Sequence, residues 1–332
     1  MCKPIGLAVG FVAITWLTQL LFALEVRAEA ETNVDVAIQR SVPYLEREGL
    51  AWIEKRQCVS CHQVPFMLWG LNAAHSAGFD VDKASLAKHA DWSLTWQSWQ
   101  NPKNASESDE ASTAKGNVDT MYFLLLGRAD YEKDAIKADQ KANLQRLIVA
   151  NQQPDGSFKP GGQLPKQRRP LVETTQVATM WALLALPPRE DDSDRSEARR
   201  KALEFLEKEL TPASTEWVVA RLLLDHQLGD AKAAGRMKTL LEAQNEDGGW
   251  GWLPNEQSDA FGTGLALYAL SQVDKQEHVD AIGRAQRFLT SSQDDDGSWP
   301  VPGTKKTAQG KPRPTSTYWG TAWAVIGLCE TR

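Results

Sequence analysis

Cysteine is scarce in this chain. Its 332 residues hold four: Cys2, Cys58, Cys61 and Cys329. An extracellular disulfide framework needs more, usually in even number, so cross-links are not the expected source of stability. Cys58 and Cys61 form a local pair, and Cys329 reads as a lone buried thiol. Long apolar runs are scarce too. After Leu24 none is long enough to span a bilayer. Positive charge is not in excess: the formal net charge is -6, which argues against a nucleic-acid surface. Tyrosine is outnumbered by tryptophan, five against thirteen, and the placement of the Trp residues explains why.

The first thirty residues carry a short positive start at Lys3, an apolar run from Ile5 to Leu24, and Ala28-Glu29-Ala30. That is the pattern of a secretory signal peptide, with cleavage expected after Ala30. The alternative is an uncleaved anchor, because the run is long enough to cross a membrane. Cys2 sits too early to be a lipobox cysteine. Either way residues 31–332 are expected outside the cytoplasm, in a periplasm or equivalent space. That length suits one large domain or two small ones.

Cys58-Val59-Ser60-Cys61-His62 reads C-x-x-C-H, the attachment signature of c-type haem. Two thiols about one helical turn apart can add to the two vinyl groups of one porphyrin. The adjacent His then places a ring nitrogen under the iron as proximal ligand. The expected cofactor is one covalent haem c, bound by Cys58 and Cys61 with His62 on the metal. Export strengthens this reading. Thiol exchange at the same pair stays open, although the adjacent His and the lack of a thioredoxin-like βαβ pattern weaken it. Zinc would need two further ligands, and no second C-x-x-C or H-x-x-x-H exists.

The rest of the chain is repetitive, and repeats organise the fold. Gln152 to Phe158, Gln244 to Trp250 and Gln293 to Trp299 share the template Gln-x-x-Asp-Gly-small-aromatic. An apolar residue stands four before each Gln: Ile148, Leu240 and Leu289. Each motif leads through a loop into a small-residue apolar helix. The Gln positions differ by 92 and 49, so the period is near 46 to 49 with one degenerate unit, Ala198–Gly229, in the first gap. Projecting backwards adds Lys83–Gln100 with Asn117–Arg128, and Val36–Glu48 with Cys61–Ala74. Six helix pairs result. Each alone would expose an apolar face, so neighbours must stack, and six pairs can close into a ring.

The template resembles the QW motif of squalene–hopene and oxidosqualene cyclases, whose relatives include protein prenyltransferase β-subunits. The resemblance covers roughly residues 36–332 as architecture, with strong motifs only from Leu144 onward. It implies an all-α fold: an α/α toroid whose inner helices line a central cavity and whose outer helices end in the QW turns. Gln152, Phe158, Gln244, Trp250, Gln293 and Trp299 are then structural. Asp-Gly makes the tight turn, and the Gln side chain caps a neighbouring helix. The family's activity does not follow from its fold. Asp80-Val-Asp82-Lys83 stops short of the cyclase D-x-D-D motif. Asp294-Asp295-Asp296 belongs to a QW turn. No prenyltransferase zinc set is identifiable, and the chain has room for one helical domain where full cyclases use two.

Aligning the inner helices puts Cys61-His62-Gln63 level with Thr174, Ser258 and Ser316. The haem signature would therefore sit at the mouth of the ring. Phe66, Met67 and Trp69 would pack there or belong to ordinary core. Two long basic loops reach the same mouth, one with Lys159, Lys166, Arg168 and Arg169, the other with Lys305, Lys306, Lys311 and Arg313. Some of these are candidates to pair with haem propionates or an anionic partner. For the sixth iron ligand Met121 is the first candidate and His89 the second, and an open site is equally admissible. The expected function is electron transfer or redox and small-ligand sensing, with a redox protein or small molecule as partner. The alternative is a haem-free cyclase- or prenyltransferase-like enzyme, or a module holding an isoprenoid-like lipid in the cavity. A third is a repeat protein for protein contact. Peripheral membrane contact stays open.

Overall fold

A computed structural model describes residues 9–59, 63–100, 109–127, 138–208, 210–308 and 310–332, with side chains from residue 33 onward. The described residues form thirteen α-helices and no strand, only two isolated β-bridges. None of these helices is long and apolar enough to cross a membrane.

Six helices form the inner ring: α2 (Val64–Ser76), α5 (Val118–Leu126), α7 (Leu171–Ala185), α9 (Thr215–Gln227), α11 (Ala260–Asp274) and α13 (Pro314–Thr331). Each packs on the next, and α13 returns to α2. They are apolar on nearly every side, as helices surrounded by protein must be. Six more form the outer ring: α1 (Val9–Arg56), α3 (Lys83–Ser93), α6 (Ala138–Ala150), α8 (Ser193–Leu206), α10 (Lys232–Glu242) and α12 (Val279–Ser292). These are one-sided. On α12 Ala281, Ile282, Ala285 and Leu289 are buried while the opposite face is wet. One short helix, α4 (Glu110–Lys115), is an addition that the repeat pattern does not announce. The fold is the α/α toroid.

The QW turns act as clasps between outer helices. Gly297 takes φ 86°, in the left-handed region that favours glycine, and a Cβ there would strike the Arg40 carbonyl of α1. Asp296 closes the turn by accepting from the Ser298 amide at 3.0 Å and its hydroxyl at 2.7 Å. Gln293 Nε2 then donates to the Ala37 carbonyl at 2.9 Å and to Ser41 Oγ at 2.8 Å. Trp299 is buried, and its indole donates back to the Leu289 carbonyl at 2.9 Å. The same geometry recurs upstream. Gln244 donates to Ala281 of α12 at 2.9 Å and Gln152 to Ala198 of α8 at 2.7 Å. Each clasp grips a following outer helix, and the last grips the first, which closes the ring. The Tyr318 hydroxyl adds a bond to the Leu45 carbonyl at 3.0 Å across the same seam.

The axis of the toroid is filled rather than hollow. Phe66 lies 4.7 Å from Phe123, 5.7 Å from Trp319 and 5.3 Å from Trp323, centroid to centroid. Trp181 is 5.8 Å from both Phe123 and Trp323, and Trp69 meets Tyr268 edge-on at 5.5 Å. Rings from α2, α5, α7, α11 and α13 thus interlock. Such tilted and edge-on pairs are the favoured aromatic arrangements. Four tryptophans, Trp69, Trp181, Trp319 and Trp323, belong to this plug, and two, Trp250 and Trp299, belong to the clasps.

Candidate functional site

Inner helices start at one face of the ring, and the long connections lie there. Residues 151–170 precede α7 and residues 293–313 precede α13. The opposite face has short turns such as 228–231. In ring order α7 and α13 are diametrically opposed, and their two loops meet across the mouth. Gln167 and Lys305 form a β-bridge. The Arg168 amide donates to the Thr304 carbonyl at 2.9 Å, and Lys305 Nζ donates to Gln163 Oε1 at 2.7 Å. This span divides the mouth in two.

The half over α9 and α11 is closed. Arg168 makes a two-pronged pair with Glu256 at 2.5 and 2.8 Å. Arg169 is buried against Glu216 at 2.8 Å, and both guanidinium groups stack on Trp252. Of the basic loop residues offered as partners for an anionic group, these two are already engaged. Their charges are spent on Glu256 and Glu216. Burial pushes the neighbouring Asp259 up to about 6, although it accepts from the Gly262 and Trp252 amides at 2.8 and 3.0 Å.

The half over α2 and α5 is open. A cavity of about 840 Å³ lies there, within the size range of small-molecule and cofactor sites. Its walls include Cys58, the rings of Trp52, Trp99 and Trp319, and the cations Lys305 and Arg313. The first turn of α5 contributes Asp119 and Thr120, and the spanning loop contributes Gln167. Cys58 follows the end of α1, where Gln57 takes φ 52°. The Trp52 indole holds the Cys58 carbonyl at 3.1 Å, and the Val59 amide donates to Ser98 O at 2.6 Å. Burial pushes the Cys58 thiol up, with Arg56 opposing.

The other candidates fall as follows. Ser60, Cys61 and His62 lie outside the described residues. Met121 is wholly buried within α5 and does not line the cavity, and neither does half-buried His89 on α3. Lys159, Lys166, Lys306 and Lys311 are exposed at the rim. Among the described residues no group of three or more His, Cys, Asp or Glu could hold a metal ion. The sequence reading passed over Trp52, Trp99, Trp319, Thr120 and Gln167. One signal was available: a hydroxyl residue recurs at the starts of inner helices, and Thr120 belongs to that series.

The register of the cysteine motif is informative. Ile53 stands four before Gln57 as Leu289 stands four before Gln293. Cys58 onward therefore occupies the place where α6, α10 and α12 carry their clasp. In the first repeat the C-x-x-C-H segment replaces the Asp-Gly turn.

Residues 223–332 match the squalene-hopene cyclase C-terminal domain family. That region runs from α9 through α13 and includes two of the three clasps. Solved structures agree on the fold. An unsaturated glucuronyl hydrolase specific for heparin is 10% identical, with a TM-score of 0.57 over 91% of this chain and 97% of its own. A possible GH105 family member from Salmonella enterica serovar Paratyphi A is 13% identical, with a TM-score of 0.53 over 81% and 82%. A type II terpene cyclase from Scytonema is 14% identical, with a TM-score of 0.50 over 92% and 98%. The chain spans 50% of the length of the ent-copalyl diphosphate synthase from Streptomyces platensis that it also resembles, at 18% identity and a TM-score of 0.49. No curated protein sequence matches the chain. At these identities the likeness concerns the toroid alone.

Proposed function

We propose that the chain is an exported monohaem c-type protein on an α/α toroid, serving electron transfer or the sensing of redox state or a small ligand. The observation that carries this reading is the position of Cys58. It lines the open half of the mouth, among three tryptophan rings and with Lys305 and Arg313 on the same wall. A porphyrin needs that mixture: flat apolar walls for the macrocycle and cations for two propionates. Attachment would use Cys58 and Cys61. Each thiol adds across one vinyl group, so a C–S bond forms, the thiol hydrogen passes to the neighbouring vinyl carbon, and no electrons are exchanged. His62 would serve as the proximal ligand.

The test is a visible spectrum of the mature protein exported from a host with c-haem maturation machinery. The expected result is haem that survives denaturation and is lost in Cys58→Ala and Cys61→Ala. A colourless protein from that host would overturn the reading.

A second reading has the family match in its favour. The matched residues 223–332 speak for a haem-free relative of the terpene cyclases, as an enzyme or as a holder of an isoprenoid-like lipid. The filled aromatic axis and the missing D-x-D-D motif weigh against the enzyme. The mouth cavity would then take the lipid, with Lys305 and Arg313 facing an anionic headgroup. Solvent extraction of the purified protein followed by mass analysis tests it, and an empty extract counts against it.

A further inference from the structure

We infer that the mouth face carries a docking surface for a protein partner, with Lys159, Lys166, Lys306 and Lys311 receiving an acidic segment of that partner. Neither the haem nor the lipid enters, because none of the four lysines lines the mouth cavity. The sequence is biased here. Residues 156–172 hold four cations and no acid, and so do residues 297–329, in a chain whose formal net charge is -6. These are the two stretches that join across the mouth.

Some of these charges are already used. Arg168 and Arg169 are paired with Glu256 and Glu216, and Lys305 Nζ donates to Gln163. The four lysines are exposed and make no ion pair or side-chain hydrogen bond among the described residues. Several exposed cations on outer helices lean instead on acids of their own helix. Arg200 meets Glu197 at 2.7 Å, Lys201 meets Glu197 at 3.5 Å and Lys238 meets Glu242 at 3.7 Å. The backbone beneath the lysines is fixed. The Gly303 amide donates to the Lys311 carbonyl at 3.0 Å, the Lys311 amide donates to the Ala308 carbonyl at 3.1 Å, and Pro302 bridges Pro312. The bond from the Arg168 amide to the Thr304 carbonyl ties the loop of Lys166 to the same frame. Like charges held together raise the local potential that steers an opposite charge, and a frame set in advance lowers the cost of ordering on binding.

The basic surface has an acidic border. Three clasp turns on the same face, at the ends of α6, α10 and α12, leave Asp155, Glu246, Asp247, Asp294, Asp295 and Asp296 exposed. A flat anionic bilayer would press on those acids as it met the lysines. A narrow acidic segment reaches the lysines alone, and the acids then repel a misplaced partner. Leu171 and Val172 follow directly on one basic loop and are 58% and 47% exposed. They offer an apolar contact beside the cations. An acidic segment with an apolar side chain or two matches both features.

The experiment uses the full mature protein, whatever its mouth cavity holds. The probe is a fluorescein-labelled peptide of glutamates flanking one Leu-Leu pair, read by fluorescence anisotropy. Binding is expected at low salt and should weaken about tenfold or more as salt rises from about 20 to about 200 mM. Lys166→Glu, Lys306→Glu and Lys311→Glu together should weaken it more than about tenfold. The control is Lys83→Glu, Lys88→Glu and Lys141→Glu, at exposed positions of α3 and α6. It changes the net charge equally and should weaken binding less than about threefold. Leu171→Ser should weaken it about two- to fivefold without changing the salt dependence. All these positions are exposed, so circular dichroism and melting should match the parent chain. Equal losses in the two triple variants would reduce the effect to net charge and overturn the docking surface. So would a probe that stays unbound at low salt. Vesicles of phosphatidylglycerol that bind more tightly than the peptide, and lose that binding in the first triple variant, would overturn the protein partner and give the face to a membrane.

Discussion

The first repeat and the last are built to the same register and held in different ways. Where α12 ends, Gln293 reaches α1, Gly297 presses on its backbone, and Trp299 seals the turn. Where α1 ends, Gln57 is exposed, and its side chain meets no partner among the described residues. The cysteine motif follows. The first repeat can lose its clasp because its neighbours supply the closure. Gln293 and Tyr318 grip α1, and Arg332 pairs with Asp35 at 2.5 Å. In repeat architectures stability is shared between neighbouring interfaces, so one unit can do without its own clasp. The open cavity lies beside that unit, and the closed half of the mouth lies among the repeats nearer the C-terminus.

The comparison can be broken most forcefully at Trp299. Trp299→Ala should cost about 3–5 kcal/mol in chemical denaturation, the usual range for a buried aromatic. A loss below about 1 kcal/mol, on the same scale, would mean that the clasp does not hold the ring shut. A finer contrast pairs two glutamines in one register. Gln293→Ala should cost about 1–2 kcal/mol, because it deletes hydrogen bonds to α1 at a partly buried seam. Gln57→Ala should stay within about 0.5 kcal/mol, as for an exposed side chain. Equal losses would erase the distinction between clasped and unclasped repeats.

The smallest effect is a pH dependence confined to the clasped side. Burial raises Asp259 from 3.8 to about 6. The folded chain then keeps a proton that the unfolded chain has released, so stability falls as pH rises from about 4 to about 6. Asp259→Asn should remove that slope. Asp296 acts with the opposite sign. The Ser298 side chain and amide hold it below 3.8, so its contribution is lost as pH falls below that value. Denaturation midpoints against pH for the two Asn variants separate the windows. A flat wild-type curve between pH 4 and 6 would count against a buried proton at Asp259.

Much of the architecture was legible in the chain. The spacing of Gln152, Gln244 and Gln293 marks the outer helix ends, and the apolar segments after them are the inner helices. Projection of the period located the two unmarked pairs at the N-terminal side. The candidate site was legible only in part. Cys58 falls on the mouth because helix order alone puts it there. The partners of Arg168 and Arg169 were not legible, since Glu256 and Glu216 are distant in sequence and adjacent only after the ring has formed. Gln167 and Thr120 looked like ordinary loop and helix residues until the fold placed both on the wall of one cavity.

Local patterning by itself determined the all-α class and the six helix pairs, because amphipathic period and turn chemistry act over a few residues. Only the tertiary structure decided what fills the ring and where it stays open. Aromatic rings from five inner helices meet on the axis, and two loops from opposite sides join over the mouth. Both depend on which side chains become neighbours when distant segments pack to the density of a protein interior, and no short stretch of sequence encodes that.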